Sequence, residues 1–370
     1  MTILFLCGSL SPGRDGVGDY TRRLAGELIR QGHQASIVAL NDRLIDTVEQ
    51  CTQEADGTPI TVLRMPANLK SKQRFALAGE FITAQNPEWL SLQYVPFSFQ
   101  EKGLPFGLGR QLAKLGKGRK WHVMFHELWV GMDDEASLKF KLWGRVQRHI
   151  IHTLLKKIKP KQIDTQTSLY QFFLQKMGYN ADLLPLFGNV PVLMGLTEKP
   201  VKEKDSLSIV FFGSIHPGAP VADFLDELLV YAETTQKKLQ VLFVGRCGAY
   251  AEPWIGACNR RNIPVISRGE QSLAEISAVL SDSDLGLSTT PYLLSQKSGT
   301  VSAMLEHQLP VISVSRAWVV SLFQADLCLD GIVPYEKNKL ASVLGGIKPP
   351  KSHHSVHAVT SQLLSQLVNR

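Results

Sequence analysis

Thr2-Ile3-Leu4-Phe5-Leu6-Cys7-Gly8-Ser9 and Ser208-Ile209-Val210-Phe211-Phe212-Gly213-Ser214 are two versions of one pattern, an apolar run that stops at a Gly-Ser pair. A strand that is apolar at nearly every position must be covered on both faces, the condition of a parallel sheet flanked by helices. After the first run, a loop with three glycines leads to Leu24, Ala25, Leu28 and Ile29 at helical spacing; this stops at Gly32, and Ser36 to Leu40 begins another strand. The result is a strand, glycine loop, helix, strand unit. Runs at 60–63, 90–94 and 121–125, with a weaker one at 162–166, alternate with helical stretches near 70–85, 107–116 and 135–158. After the second Gly-Ser pair the alternation restarts, with strands at 239–244, 264–267, 284–288 and 310–313 and helices near 220–234, 271–281 and 299–307. A last helix is read over 353–369, with Val356, Val359, Leu363, Leu364 and Leu367 on its apolar side.

Two doubly wound, Rossmann-like α/β domains follow. The 370 residues exceed the roughly 250–300 that one core supports. The Pro- and charge-rich stretch from Pro191 to Asp205 marks the boundary, giving domains over 1–195 and 196–350 and a terminal helix over 351–370. Open α/β sheets bind ligands at the carboxyl ends of their strands, so two such domains facing across a cleft place function in the loops after strands.

The net charge of +7 lies wholly in the first half: residues 1–195 carry 24 Lys and Arg against 17 Asp and Glu, and residues 196–370 carry 16 against 16. Within residues 102–161 the count is 14 basic to 4 acidic, interleaved with Leu and Ile. That composition suits an anionic membrane surface or an anionic acceptor, and equally a solvated basic face. No apolar stretch approaches the roughly 20 residues that span a bilayer, and MTILFLCGSLSPG lacks a basic leader, so a cytoplasmic chain is expected, with peripheral contact at the inner face of the membrane. Five scattered cysteines without C-x-x-C spacing suggest neither disulfides nor zinc.

Lys297-Ser298-Gly299-Thr300 follows a strand and opens a helix, so small residues and a cation meet where backbone N–H groups can approach a phosphate. The plain alternative is a Ser/Thr helix cap. Gly16-Val17-Gly18, followed by Asp19 and Tyr20, lies after the first strand, and Thr21 stands where a dinucleotide fingerprint needs its third glycine, which argues against NAD. His126-Glu127 follows the strand WHVMF. Arg246, and Arg268 with Gly269, follow strands of the second half and suit phosphate or base contacts, or surface ion pairs.

In order and spacing these motifs resemble the retaining GT-B glycosyltransferases of family 4 over nearly the whole chain. GVGDYTRRLAGELIRQGHQASIVAL is similar to that family's glycine loop and first helix, VMFHEL to its strand followed by His-Asp, LPLFGNVPV to its pre-linker turn, and LSDSDLGLSTTP through MLEHQLPVISV to its strand, donor loop, helix and strand. The resemblance implies a glycosyltransferase of the hexosyltransferase type, acting in polysaccharide or glycolipid synthesis; because Lys297 and the N–H groups of residues 298–300 suit a diphosphate leaving group, transfer is expected without a metal or other cofactor. A nucleotide-diphosphate sugar is the donor and a saccharide or lipid-linked molecule the acceptor; nucleic acid is not expected as a partner. His126 and Lys297 would be catalytic. Gly16, Val17, Gly18, Gly213, Ser214, Arg246, Arg268, Gly269, Ser298, Gly299, Thr300 and Glu306 would bind donor, and Asp19, Tyr20 and Glu127 acceptor.

The donor motif is atypical. Ser295 and Ala303 stand where the family has its paired glutamates, and Ser214 and Pro220 where it has an arginine and a lysine. Glu306 is the expected substitute at the ribose, with Lys297 and Arg246 substituting for the cations. The alternatives are a sugar-nucleotide epimerase of the same fold and a non-catalytic GT-B partner subunit.

Overall fold

The computed structural model describes residues 1–193, 205–324, 327–351 and 354–370, so the boundary expected at 195/196 lies outside the described residues. The chain forms two compact units, Met1–Pro185 with Val320–Phe323 and Val356–Arg370, and Leu186–Val319 with Gln324–Ser355.

The first unit contains β1 (Thr2–Cys7), α1 (Gly16–Arg30), β2 (Gln34–Asp42), β3 (Glu49–Ala55), β4 (Thr58–Pro66), α2 (Ser71–Gln85), β5 (Trp89–Tyr94), α3 (Pro96–Phe99) and α4 (Leu108–Leu115). It continues with β6 (Lys120–Phe125), α5 (Leu138–Ile158), β7 (Gln162–Thr165), α6 (Ser168–Lys176) and β8 (Asp182–Leu183). Its sheet runs β3-β4-β2-β1-β5-β6-β7-β8, parallel except for the β3/β4 hairpin. The hairpin turns on Asp56-Gly57, both at positive φ, as a two-residue turn requires. β3 escapes the sequence reading because it is a largely exposed polar edge, Glu-Gln-Cys-Thr-Gln-Glu, which shows no apolar period.

The second unit contains β9 (Ser206–Phe212), α7 (Val221–Thr234), β10 (Lys238–Val244), α8 (Ala251–Asn259), β11 (Val265–Gly269), α9 (Leu273–Asp282), β12 (Leu285–Ser288), α10 (Gly299–Glu306), β13 (Val311–Ser313), β14 (Ile332–Pro334) and α11 (Leu340–Gly346). Its parallel sheet has the order β11-β10-β9-β12-β13-β14. Ile209 and Phe211 pack with Phe224 and Trp254 on one face, while Val210 packs with Val279 and Met304 on the other. That two-sided burial is why β9 reads as an unbroken apolar run. The last helix, α12 (Val356–Val368), returns to the first unit, where His357 Nδ1 lies 2.8 Å from Glu27 Oε1 on α1.

Strand order reverses between β1 and β5 in the first sheet and between β9 and β12 in the second. These switch points are where doubly wound sheets open a crevice for ligands.

Candidate functional site

In the second unit the loops leaving β9 and β12 meet. Gly213 takes a φ of +77°, and a Cβ there would stand 2.6 Å from Thr300 Cγ2, so only glycine lets the β9 loop lie against the start of α10. His216 N–H donates to Thr289 Oγ1 at 2.7 Å, tying the same two loops. The β10 loop joins them through Ile215 N–H to Cys247 O at 3.1 Å, which sets Arg246 beside Gly213 and Ser214. Partial desolvation, then the charge of Lys297, lower the His216 pKa, so His216 feels the lysine directly.

Lys297 ends a short 3-10 helix (Tyr292–Lys297) and Ser298 caps α10, its Oγ accepting Val301 N–H at 3.4 Å. The helix cap therefore exists, but it serves one N–H. The first N–H groups of α10, those of Gly299 and Thr300, precede any intrahelical acceptor. Beside a lysine they form a corner suited to an anion.

The remaining residues of the expected donor set are more peripheral or engaged. Arg246 Nε lies 3.5 Å from Glu270 Oε1, both side chains being exposed. Arg268 is skipped in the register of β11 against β10, between Ser267 and Gly269, and is exposed at the sheet edge. Glu306 turns to the loop before the unit's first strand, its Oε1 accepting Gly188 N–H at 2.9 Å. Ala303 is fully buried, and a Cβ on Gly188 would come within 2.7 Å of its Cα, so a larger side chain has no room on either side of that contact. Ser295 is buried as well. His216 was not singled out by the sequence. Its signal was its place three residues after a strand-ending glycine.

In the first unit α1 starts at Gly16, earlier than the apolar spacing suggests, because Asp15 caps it by accepting Gly18 N–H at 2.8 Å. Burial raises the Asp15 pKa despite that bond and one from Val17. Gly16, Val17 and Gly18 are thus a helix's first turn, pressed on the strand end: a Cβ on Gly18 would stand 2.7 Å from Ser9 O. Asp19 accepts from Gly13 N–H at 3.0 Å and from Arg22 at 2.7 Å. Tyr20 is buried and meets the His126 ring edge-on at 4.9 Å; burial, then the charge of Asp164, raise its pKa.

His126 follows β6 and is 5% exposed. Its Nε2 lies 2.8 Å from Gln93 Oε1, and Gln166 Nε2 lies 2.9 Å from its Nδ1. The two amides therefore bracket the ring, an oxygen at Nε2 and a nitrogen at Nδ1. Gln93 in turn donates to Ser91 Oγ at 2.8 Å, and Ser91 Oγ lies 2.8 Å from His122 Nδ1. His122 Nε2 is 3.0 Å from Asp164 Oδ2, without hydrogen-bond alignment. This buried polar line crosses β5, β6 and β7 beneath His126. The sequence showed its members only as polar positions within apolar runs. Glu127, half-buried, extends from the same strand end through its N–H to Tyr94 O at 3.4 Å.

Among the described residues, no group of three or more His, Cys, Asp or Glu is placed to hold a metal ion, and no helix is long and apolar enough to cross a membrane.

No family model matches the chain, and no curated protein matches it by sequence. Solved structures do match in fold. HepE from Anabaena, in complex with UDP and glucose, shares 12% identity over 100% of both chains at a TM-score of 0.63. The catalytic domain of starch synthase IV from Arabidopsis thaliana, bound to ADP and acarbose, shares 10% over 100% of this chain and 99% of that one, with a TM-score of 0.57. A glycosyltransferase from Rickettsia africae shares 13% over 100% and 93%, with a TM-score of 0.55. The matches include glycosyltransferases and a sugar-nucleotide epimerase, and what they show is the fold: the chain has the GT-B fold, a mixed α/β architecture built on two largely parallel sheets.

Proposed function

We propose that the chain is a hexosyltransferase that moves a sugar from a nucleotide diphosphate to an acceptor hydroxyl with retention of configuration and without a metal ion. The observation that carries this reading is the corner at the second sheet's switch point, where Lys297, the start of α10 and the Gly213 loop converge. Breaking the bond from the anomeric carbon to a diphosphate oxygen builds negative charge on the leaving group, and a lysine with helix N–H groups is suited to stabilise it. HepE, solved with UDP and glucose, supports a nucleotide-sugar donor. Arg246 and Ser214 border the corner, with Arg268 and Gly269 further out. In the first unit His126, Glu127 and the Gly16–Tyr20 turn serve the transferred sugar and the acceptor. A sugar hydroxyl reaches His126 Nδ1 by replacing the Gln166 amide, which sits on a loop, since Gln93 is anchored by Ser91.

Screening UDP, ADP and GDP by thermal shift, then assaying transfer from the matching sugar nucleotide, tests this. One diphosphate is expected to raise Tm, and transfer is expected to survive EDTA. Loss of activity in EDTA with recovery in magnesium would end the metal-free part. Turnover of donor without acceptor to an isomeric sugar nucleotide would favour the epimerase, and donor binding without any turnover the non-catalytic subunit.

We place the chain at an anionic membrane surface through α5. Leu138, Phe140, Leu142 and Val146 are exposed there among Lys139, Arg145 and Arg148. Aromatic and aliphatic side chains interleaved with cations fit the headgroup boundary. Co-sedimentation with phosphatidylserine vesicles is expected at low salt and lost at high salt, weakening about fivefold for each of the three cations neutralised. Equal pelleting with neutral vesicles contradicts this.

A further inference from the structure

We propose that a cavity beside Arg74 in the first unit is a subsite for one anionic sugar ring, a uronate or a sugar phosphate. As the end of an acceptor it rests on the glycosyltransferase reading; as a binding site it stands alone. The cavity, of about 190 Å³, lies at the carboxyl end of β2, at Leu40 and Asn41, and is closed by the start of α2 and the chain after β5. It therefore flanks the first sheet's switch point, where this architecture opens a crevice. Pockets for drug-sized ligands run to roughly 300–1,000 Å³, so this one suits a single ring and not a whole sugar nucleotide.

Arg74 supplies the charge. Its Nη1 donates to Leu40 O at 2.7 Å and to Asn41 Oδ1, which fixes the guanidinium plane. Its Nε is buried with no acceptor, and among the described residues no carboxylate lies within ion-pair distance. Arg22 and Arg64 in the same unit each have a carboxylate partner, at 2.7 and 2.9 Å. Arg74 is half-buried, and holding its Nε away from water without an anion beside the guanidinium is costly. None of the residues lining the cavity is acidic, and burial lowers the Arg74 pKa. A fixed guanidinium of this kind is matched to carboxylate or phosphate oxygens.

The walls supply the ring specificity. Phe75 and Phe99 line the cavity and Phe106, 68% exposed, stands at its rim, so aromatic faces are available to the C–H side of a sugar. Gln100 uses its carbonyl oxygen for Lys102 and Leu104 N–H, and Gln111 uses its amide nitrogen for Ser71 Oγ. The Gln100 amide nitrogen and the Gln111 carbonyl oxygen have no partner among the described residues, leaving one donor and one acceptor for sugar hydroxyls.

Titrating the intact chain with methyl glucuronide, glucose 6-phosphate, methyl glucoside and inorganic phosphate, followed by NMR, tests this. At least one anionic sugar is expected to bind about 10- to 100-fold tighter than the neutral glucoside, the span of one charge-assisted hydrogen bond set. Which of the two binds names the source of the charge. Arg74→Gln is expected to abolish the preference, and Arg74→Lys to restore part of it. Should Arg74→Gln fail to fold, Phe106→Ala at the exposed rim is expected to weaken every sugar alike and leave the preference intact. Equal binding of the neutral and anionic sugars, binding of none, or inorganic phosphate binding as tightly as glucose 6-phosphate would overturn the proposal. Nucleotide-diphosphate binding measured on the same samples separates the two readings: nucleotide without anionic sugar sinks the subsite alone, and the reverse sinks the donor reading alone.

Discussion

Lys297→Ala is expected to lower kcat by about 10²–10³-fold, the loss seen when one preorganised group stabilising developing negative charge is removed. The expectation is large here because the usual sharing of that task is missing. Ser214 and Pro220 stand where the resemblance leads one to expect an arginine and a lysine, and Arg246 faces Glu270 at an exposed position. Lys297 is therefore the cation nearest the start of α10 by chain position, and Lys297→Arg is expected to recover part of the loss by restoring charge with altered geometry. A second readout does not depend on turnover. The lysine's charge disfavours the protonated His216 ring, so in Lys297→Ala the His216 pKa should rise, while staying under its ordinary value because desolvation, the larger cause, remains. NMR titration of His216 measures that shift. An unmoved His216 together with unchanged kcat would remove Lys297 from the donor site.

The fold was legible because both sheets bury two faces. β1 and β9 are apolar at nearly every position, and the Gly-Ser pairs that end them mark the switch points where the loops converge. What the sequence left unread was either too short or too polar to show a period. β8 has two residues and β14 three, and the largely exposed edge strand β3 carries Glu, Gln, Cys and Thr, with only Ala55 at its end buried. The candidate site was legible in position and opaque in partnership. Spacing indicates that His126 ends a strand, but only the fold brings Gln93, from one neighbouring strand, and Gln166, from the loop after the other, onto its two ring nitrogens. Likewise Glu306 reads as an available carboxylate on a helix until Gly188, remote in sequence, is found against it. Arg74 sat unremarked in the helix read near 70–85, since nothing in a sequence distinguishes a paired arginine from an unpaired one.

Asp42→Ala is expected to destabilise the first unit by about 3–5 kcal/mol, because it leaves Arg64 beside an emptied, dry site. The Asp42 carboxylate is fully buried at the end of β2 and accepts from Ser9 Oγ at 3.0 Å, Leu10 N–H and Leu44 N–H at 3.1 Å each, and Arg64 Nε at 3.0 Å. Arg64 keeps Glu49 at 2.7 Å, half in solvent, which argues for the lower end of that range. At roughly 2–4 °C per kcal/mol for a unit of this size, a loss of about 3 kcal/mol lowers Tm by about 6–12 °C. The sign with pH is fixed by the direction of the shift. Burial pushes the Asp42 carboxyl up, but the N–H groups of Leu10 and Leu44 and the Arg64 guanidinium outweigh it and hold the pKa below its ordinary value. Its contribution is therefore complete above the ordinary carboxylate range and disappears as pH falls through the lowered folded-state value. Urea unfolding of wild type and Asp42→Ala should show the full gap near neutrality and a shrinking gap in acid, whereas a gap that stays constant with pH would assign the loss to packing instead of charge. In the proposed reading, acceptor binding is coupled to the same bond. Asp42 fastens Ser9, Leu10 and Ser11, the chain on which Gly18 is pressed, so loosening it moves the first turn of α1. Asp42→Asn, which keeps the shape and removes the charge, should then raise the KM for acceptor at temperatures where the protein is still folded.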